Sequence, residues 1–401
     1  SRSQRSWIEG FNASDDMPNE FEKLRAVQAI VRGEWHNWSD GQTECSRSWR
    51  NLTPHMGNPR YTYFESLFAE DVAKRVPFTY WDNQKDIYGT DEHGYGRRTY
   101  DNIGVQYGLA ALTSGQITMP EFLHLNDNIG GWRSPAEMSR ERFWKSGGAQ
   151  SDLADISLWS HHNMTSTVSD SRPAPRNAGD LGAMAAAYRS GNVFLGEIEM
   201  PILDFRHYLE ERLDMHHSLQ SFVTRTRILR HQGHADNQLI WVADLPFEPL
   251  AEALSVMERW LDNMQADDSL SVVEAKPDDA LDRCYSDTGD IIAEGSGVWD
   301  GKWNDKPAGP CLKRFPPYSN PRLIAGDDFA GDIFKCHLRS VDQAITDGVY
   351  APIDAKPYRA ELQRIFPTGV CDYSLGDAAR PANAVSYTHL TLPTNTVTWG
   401  G

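Results

Sequence analysis

Two neighbouring segments of the chain carry carboxylate and imidazole side chains that could act together in hydrolysis. Asp204 ends an apolar run, Asp214 follows ten residues later, and His234 comes after a further run rich in apolar residues. A serine hydroxyl becomes an effective nucleophile when an imidazole takes its proton and a carboxylate orients that imidazole. His234 is therefore a candidate general base, with Asp214 as the preferred orienting acid and Asp204 as the alternative. An ordinary loop or capping role is open for each of the three.

The elements around these residues predict an α/β fold. Residues 196–204 (GEIEMPILD) and 221–229 (SFVTRTRIL) have the composition and alternation of strands, and residues 247–263 have apolar side chains at helical spacing. In α/β-hydrolases the nucleophile, acid and base follow one another along the chain, on loops after the strands. The pattern places His234 on a strand-to-helix loop, where a general base would be expected.

Several longer stretches resemble a known family. They are residues 88–108 (YGTDEHGYGRRTYDNIGVQYG), 121–132 (EFLHLNDNIGGW), 233–238 (GHADNQ), 334–336 (FKC) and 369–373 (GVCDY). They are similar to the C-terminal half of a bacterial family of exported proteins of unknown function that resembles α/β-hydrolases of the tannase and feruloyl-esterase type. The similarity extends from about residue 7 to residue 381. The resemblance implies ester hydrolysis as a reaction class.

Members of that family carry a Gly-x-Ser-Gly-Gly type nucleophile turn upstream of the region seen here. This chain contains no Gly-x-Ser-x-Gly sequence, and the nearest candidates, Ser146 and Ser296, follow no predicted strand. We therefore expect the serine and the oxyanion amides to come from an upstream segment, so that this chain would be the C-terminal part of an α/β-hydrolase-like fold.

Changes in residue composition along the chain suggest a division into segments. We expect a hydrolase core segment after the nucleophile (1–67), a helical lid insertion (68–189), the core with the acid and base loops (190–268), an irregular disulfide-stapled annex (269–381) and a non-native tail (382–401). The lid is an analogy of fold, with a flexible joint predicted at 166–179. The tail is predicted because residues 384–395 are similar to a translated sequencing-adapter read-through.

Within the predicted lid, Arg97 and Arg98 could bind a substrate carboxylate through charge-assisted hydrogen bonds. The same stretch could instead bind calcium through Asp91, Glu92 and Asp101. A salt-bridged loop that holds the helices together ranks first, because the spacing matches no EF-hand and no recognisable metal loop. Thr118 and Glu121 form a capping-box pattern with a proline between them, which predicts the start of a helix.

Five cysteines occur, at positions 45, 284, 311, 336 and 371. The last four fall in a region rich in loops, and the simplest pairing joins Cys284 with Cys311 and Cys336 with Cys371, although four cysteines allow three pairings. Disulfides imply an oxidising compartment, so we expect a secreted or periplasmic protein. No cysteine or histidine spacing typical of zinc occurs, and neither a metal nor another cofactor is expected.

Composition excludes some partners. The chain has 39 Lys and Arg against 56 Asp and Glu, and its net charge of −17 would repel a phosphate backbone or an anionic membrane. A small-molecule or polymeric ester is the expected partner, and the oligomeric state is open. The sequence thus predicts part of a secreted serine esterase for apolar or aromatic acyl substrates. The alternative is a non-catalytic module that binds polymers or has a structural role.

Overall fold

The structure, a computed structural model of the 401-residue chain, describes residues 85–137, 141–142, 154–155, 165, 172–210 and 218–382. The helices are α1 (Leu109–Thr113), α2 (Met119–Asn128), α3 (Leu181–Arg189), α4 (Leu219–Gln232), α5 (Leu250–Ala266), α6 (Pro310–Arg314), α7 (Pro321–Ile324), α8 (Val341–Thr346) and α9 (Arg359–Ile365). Among the described residues, none of these helices has the length and apolar character needed to cross a bilayer.

The strands are β1 (Glu141–Arg142), β2 (Ala154–Asp155), β3 (Ile202–His207), β4 (Gln238–Ala243), β5 (Arg283–Tyr285), β6 (Ile291–Glu294), β7 (Cys336–Arg339) and β8 (Val370–Asp377). Four of them form the main sheet in the order β3-β4-β5-β6. The first three are parallel and β6 is antiparallel to β5. The predicted boundary at 268 therefore does not coincide with an edge of the sheet, because β5 and β6 follow it.

Strand β4 is the centre of this sheet. All six of its residues are buried, as expected for a parallel strand that is covered on both faces. Leu239 and Trp241 pack on α5 in one hydrophobic cluster. Ile240 and Val242 point to the opposite face, where they meet Phe222 of α4. The predicted α/β class is confirmed by this mixed, mainly parallel sheet with helices on both faces.

The predicted strand at 221–229 is wrong, because these residues belong to helix α4. Leu219, Phe222, Val223 and Thr226 are buried at the spacing of a helical stripe. The Thr226 hydroxyl donates to the Phe222 carbonyl oxygen at 2.8 Å, a local bond that suits threonine in a helix. Phe222 and Thr226 are separated by four positions, a distance that fits both a strand alternation and a helical turn.

Strand β3 covers Ile202–His207, so the observed strand begins and ends later in the sequence than the strand predicted at 196–204. The chain before it passes against α4: a Cβ at Gly196 would lie 2.0 Å from the Arg227 carbonyl oxygen. Such a close approach requires glycine and an irregular backbone. Helix α5 also starts three residues later than predicted, at Leu250, and ends at Ala266.

A second hydrophobic core joins segments that are far apart in sequence. Leu112 and Phe122 from α1 and α2 pack with Leu362 of α9 and Val370 of β8. The capping box predicted at Thr118 is confirmed at the start of α2. Described parts of the predicted lid and of the predicted annex thus share one core. The division of function between lid and annex stays a prediction.

The predicted flexible joint is anchored where the structure describes it, over residues 172–180. The Arg176 guanidinium lies 5.3 Å from the Tyr107 ring centroid and 5.1 Å from that of Phe366. It donates to the Asn126 side-chain oxygen at 3.0 Å and to the Val105 carbonyl oxygen. Arg176 therefore ties the described part of this stretch to the neighbouring loop, and the flexibility of the joint at 166–179 stays a prediction.

Two disulfides confirm the simplest pairing. Cys284 is bonded to Cys311, with 5.7 Å between their Cα atoms, and this bond ties β5 to α6. Cys336 is bonded to Cys371, with 5.3 Å between their Cα atoms, and joins β7 to β8. Both are consistent with an oxidising compartment. Cys45 lies outside the described residues.

Substitution of Gly233 tests whether α4 ends at this residue. Its φ of 80° is left-handed, and a Cβ there would meet no atom within 4 Å, so Gly233→Ala adds backbone strain without a clash. We expect the free energy of unfolding, measured in urea, to fall by about 1 kcal/mol. Gly96→Ala is the matched control: it is equally open but has no left-handed φ, and it should leave stability unchanged or raise it slightly. Equal effects at both positions would argue against a helix that ends at Gly233.

Removal of the first disulfide tests the link between β5 and α6. Cys284→Ala with Cys311→Ala should lower the free energy of unfolding by about 3 kcal/mol, because the bond closes a separation of 27 residues. Peptide mapping without reduction should recover the 284–311 and 336–371 linked peptides. Recovery of free thiols at these four positions would contradict the pairing.

Candidate functional site

The carboxyl ends of β3, β4 and β5 meet along one edge of the main sheet, since the three strands are parallel. Ligands in open α/β sheets bind outside this edge. His207 is the last residue of β3, Asp244 follows β4 and Ser286 follows β5. We name these residues and the connections that follow them the carboxyl edge.

His207 is held in one orientation at the carboxyl edge. Its side chain is 18% exposed, and its Nε2 donates to the Phe247 carbonyl oxygen at 3.0 Å. The Glu248 carboxylate is 3.9 Å from the same nitrogen, and the Phe205 ring packs edge-on at 5.1 Å between centroids. A carbonyl that accepts from Nε2 leaves Nδ1 as the nitrogen that can take a proton. The ring is thus fixed by one nitrogen, and the other nitrogen is not used in that bond.

Glu210 is a buried carboxyl group in the connection after β3. It is fully buried and accepts hydrogen bonds from the Ser218 backbone nitrogen at 2.8 Å and from the Leu209 backbone nitrogen at 3.1 Å. Burial raises the pKa of Glu210, and the hydrogen bonds from Ser218 oppose that shift. Glu210 and Ser218 flank residues 211–217, so this carboxyl group holds together the two ends of the segment that contains Asp214. Asp214 itself lies outside the described residues.

Asp244 is engaged in the structure of the carboxyl edge. Its carboxylate pairs with the Arg314 guanidinium, which lies 4.6 Å from the Phe315 ring centroid. The Asp244 backbone nitrogen donates to the Tyr285 carbonyl oxygen at 3.2 Å. Asp244 therefore links the end of β4 to the end of β5 through its backbone nitrogen and to α6 through its carboxylate.

Asp204 lies within β3, opposite Ile240 in the register. Its carboxylate is 2.8 Å from the Arg206 Nε, which also donates to the Ser221 hydroxyl at 3.2 Å. Asp204 is thus part of an ion pair on the strand, three positions before its carboxyl end.

His234 lies on a helix-to-strand loop, so the prediction of a strand-to-helix loop is wrong. Helix α4 ends at Gln232 and β4 begins at Gln238, which puts His234 at the amino end of β4, opposite the carboxyl edge. The side chain is 48% exposed, and its Nδ1 is 3.9 Å from an Asp236 carboxylate oxygen. In the part of the chain that the structure describes, His234 and Asp204 are not brought into contact.

Arg97 and Arg98 contact other parts of the protein. The Arg97 Nε donates to the Thr90 carbonyl oxygen at 2.9 Å and lies 3.9 Å from the Asp180 carboxylate. An Arg98 terminal nitrogen donates to the Arg133 carbonyl oxygen at 3.2 Å, and burial lowers the pKa of Arg98. These contacts fit the alternative of a loop that holds neighbouring elements, and the substrate role of both residues stays a prediction.

The profile of a tannase-like family of unknown function matches residues 1–381, nearly the whole sequence. The chain belongs to this family (DUF6351). No curated protein and no solved structure is detectably similar to it. Membership agrees with the α/β sheet, and the chemistry of this tannase-like protein must be inferred from its own residues.

Two residues of the carboxyl edge, His207 and Glu210, were not among the candidates drawn from the sequence. The predicted strand ends at Asp204, so it does not include His207. The signal was present: Leu203, Phe205 and His207 alternate with polar residues, as strand residues do. Nothing local marks Glu210, because its burial depends on the distant start of α4.

Glu210 should make stability depend on pH. A carboxyl group whose pKa is raised on folding contributes its full stabilisation at pH values below its pKa in the unfolded chain, 4.5. That contribution is lost as the pH rises through the pKa of the group in the folded protein. Glu210→Gln removes the ionisation, so its free energy of unfolding should rise relative to wild type between about pH 4 and pH 8. Glu258→Gln, at an exposed position on α5, is the control and should track wild type. A pH-independent difference for Glu210→Gln would contradict the raised pKa.

Proposed function

We propose that the chain is the C-terminal portion of a secreted serine hydrolase, an esterase for apolar or aromatic acyl substrates. The observation that carries the proposal is a carboxyl edge with an oriented histidine and a buried carboxyl group, in a chain of the tannase-like family. Open α/β sheets bind their ligands at this edge. The two disulfides support an oxidising compartment, and the net charge of −17 argues against nucleic-acid and anionic-membrane partners.

The nucleophile is proposed to come from an upstream segment. The sequence holds no Gly-x-Ser-x-Gly turn. Within the described residues, β3 pairs only with β4, and all six of its residues are half-buried. A parallel strand whose outer edge is free can accept a further strand there. A strand that leads into a serine turn would place the hydroxyl at the same carboxyl edge.

For the general base, the geometry favours His207 over His234. His207 is at the edge where a serine after a neighbouring strand would lie, and its ring is oriented by the Phe247 carbonyl oxygen. His234 is exposed at the other edge, with Asp236 as its neighbour. An orienting carboxylate on His207 would have to replace the Phe247 carbonyl oxygen at Nε2. Asp214 is kept as the proposed acid because its segment follows β3 in the sequence, whereas Asp204 is paired with Arg206.

Aromatic rings beside His207 support an apolar or aromatic acyl group. Phe205 contacts the imidazole ring, and Phe247 packs on Tyr285 with 5.4 Å between ring centroids. Aromatic walls bind planar apolar groups through large contact areas and favourable ring geometry. The proposed substrate is therefore an ester with an apolar or aromatic acyl part, as a small molecule or on a polymer.

The test is aryl-ester hydrolysis by the protein that joins this chain to its upstream segment. His207→Ala should lower kcat/KM by roughly 1,000-fold or more, because a triad base acts as a unit with its nucleophile. His234→Ala should change it less than about tenfold, and both variants should keep the wild-type circular dichroism spectrum.

The reverse result, a large loss only in His234→Ala, would move the base to His234. If neither histidine matters and a fluorophosphonate does not label the protein, the esterase proposal fails. Retardation on a polymer affinity gel would then favour the non-catalytic binding module.

A further inference from the structure

A cleft of about 460 Å³ lies between α4, the loop at 326–333 and β8. Its charged walls are Arg227, Arg230 and Arg380 together with Asp328 and Asp332. The cleft is at the opposite end of α4 from the carboxyl edge, because α4 returns the chain from the end of β3 to the start of β4. It is therefore separate from the proposed esterase site. We infer that this cleft binds a small organic carboxylate.

The arginines outnumber the carboxylates in the cleft. Arg230 pairs with Asp328 at 2.5 Å, and Arg380 pairs with Asp332. Guanidinium groups stay protonated in proteins, so the cleft holds one positive charge in excess. Such a charge excess is unusual in a chain whose net charge is −17. The field in the cleft favours an anion that the rest of the surface repels.

Arg227 supplies that excess charge. Its three nitrogens donate to the carbonyl oxygens of Ala330 at 2.6 Å, Gly331 at 3.0 Å and Phe194 at 3.1 Å. None of these partners carries a formal charge. The Asp332 carboxylate, which pairs with Arg380, is the nearby opposite charge that acts on Arg227. A guanidinium whose hydrogen bonds all go to neutral carbonyl oxygens keeps its charge available for attraction to an anion nearby.

The other lining residues suit an organic ligand. Leu195 and Ile333 add apolar walls. Tyr373 lines the cleft as well. Apolar and aromatic walls beside arginines suit a ligand that has an apolar part and an anionic end.

Carboxylate fits this combination better than inorganic phosphate. The guanidinium fork binds both anions, in a planar geometry that matches a carboxylate well. Phosphate has no apolar part to cover Leu195 and Ile333. A planar aromatic carboxylate can meet the arginines with one end and the apolar walls with the other, and benzoate is the simplest probe of that class.

Benzoate binding to the 401-residue chain should be saturable, with one site, by isothermal titration calorimetry. Benzamide, which has the same shape without the charge, should bind at least tenfold more weakly, as should inorganic phosphate. Arg230→Gln should weaken benzoate binding about tenfold, because it removes one charge from the cleft. Arg259→Gln is the matched control. Arg259 is an exposed residue of α5 that pairs with Asp279 at 2.6 Å, and its loss should change the affinity for benzoate less than about twofold.

A variant that is expected to tighten benzoate binding distinguishes an effect on binding from a defect in folding. Asp328→Asn removes a carboxylate that occupies Arg230 and keeps an oxygen for the Ala330 backbone nitrogen, 2.8 Å away. It should tighten benzoate binding several-fold, which a damaged fold would not do. Equal affinity for benzoate and benzamide, equal effects of Arg230→Gln and Arg259→Gln, or no saturable binding would each overturn the inference. These outcomes are independent of ester hydrolysis, so the two proposals can fail separately.

Discussion

The complete burial of β4 is the constraint on which the rest of the described structure depends. A strand that is buried on both faces must be covered twice, by α5 over Leu239 and Trp241 and by α4 with the 298–315 region over Ile240 and Val242. Its register is fixed because a shift of one residue would exchange the two sets of side chains between differently shaped surfaces. The positions of the strand ends follow from that register, and with them the composition of the carboxyl edge.

Polar contacts hold the covering helix to the sheet. Arg225 of α4 pairs with Asp282 at 2.5 Å and donates to the Gln238 carbonyl oxygen at 2.7 Å. The Asp282 carboxylate also accepts from the Ile240 backbone nitrogen at 2.8 Å. One arginine thus joins α4 to β4 and to the start of β5. The charge of Arg225 is matched by the Asp282 carboxylate. Arg227, two residues later, instead donates its hydrogen bonds to carbonyl oxygens.

Local signals in the sequence predicted the features that depend on neighbouring residues. The capping box at Thr118 and the helix that begins at Leu250 are of this kind. Helix α4 could not be distinguished from a strand, because its β-branched residues also alternate and its conformation is decided by burial against β4. That error placed His234 at the wrong edge of the sheet, and the predicted strand that ended at Asp204 left His207 out of the candidates.

The most direct measurement is native-state hydrogen exchange of the β4 backbone amides in the 401-residue chain. If β4 is the centre that fixes both faces and the carboxyl edge, the amides of Leu239 to Ala243 exchange only through global unfolding. Their free energy of exchange then equals the free energy of unfolding measured with denaturant. Exchange of these amides through local opening, faster than that of the α2 amides in the second core, would contradict a structure organised around β4.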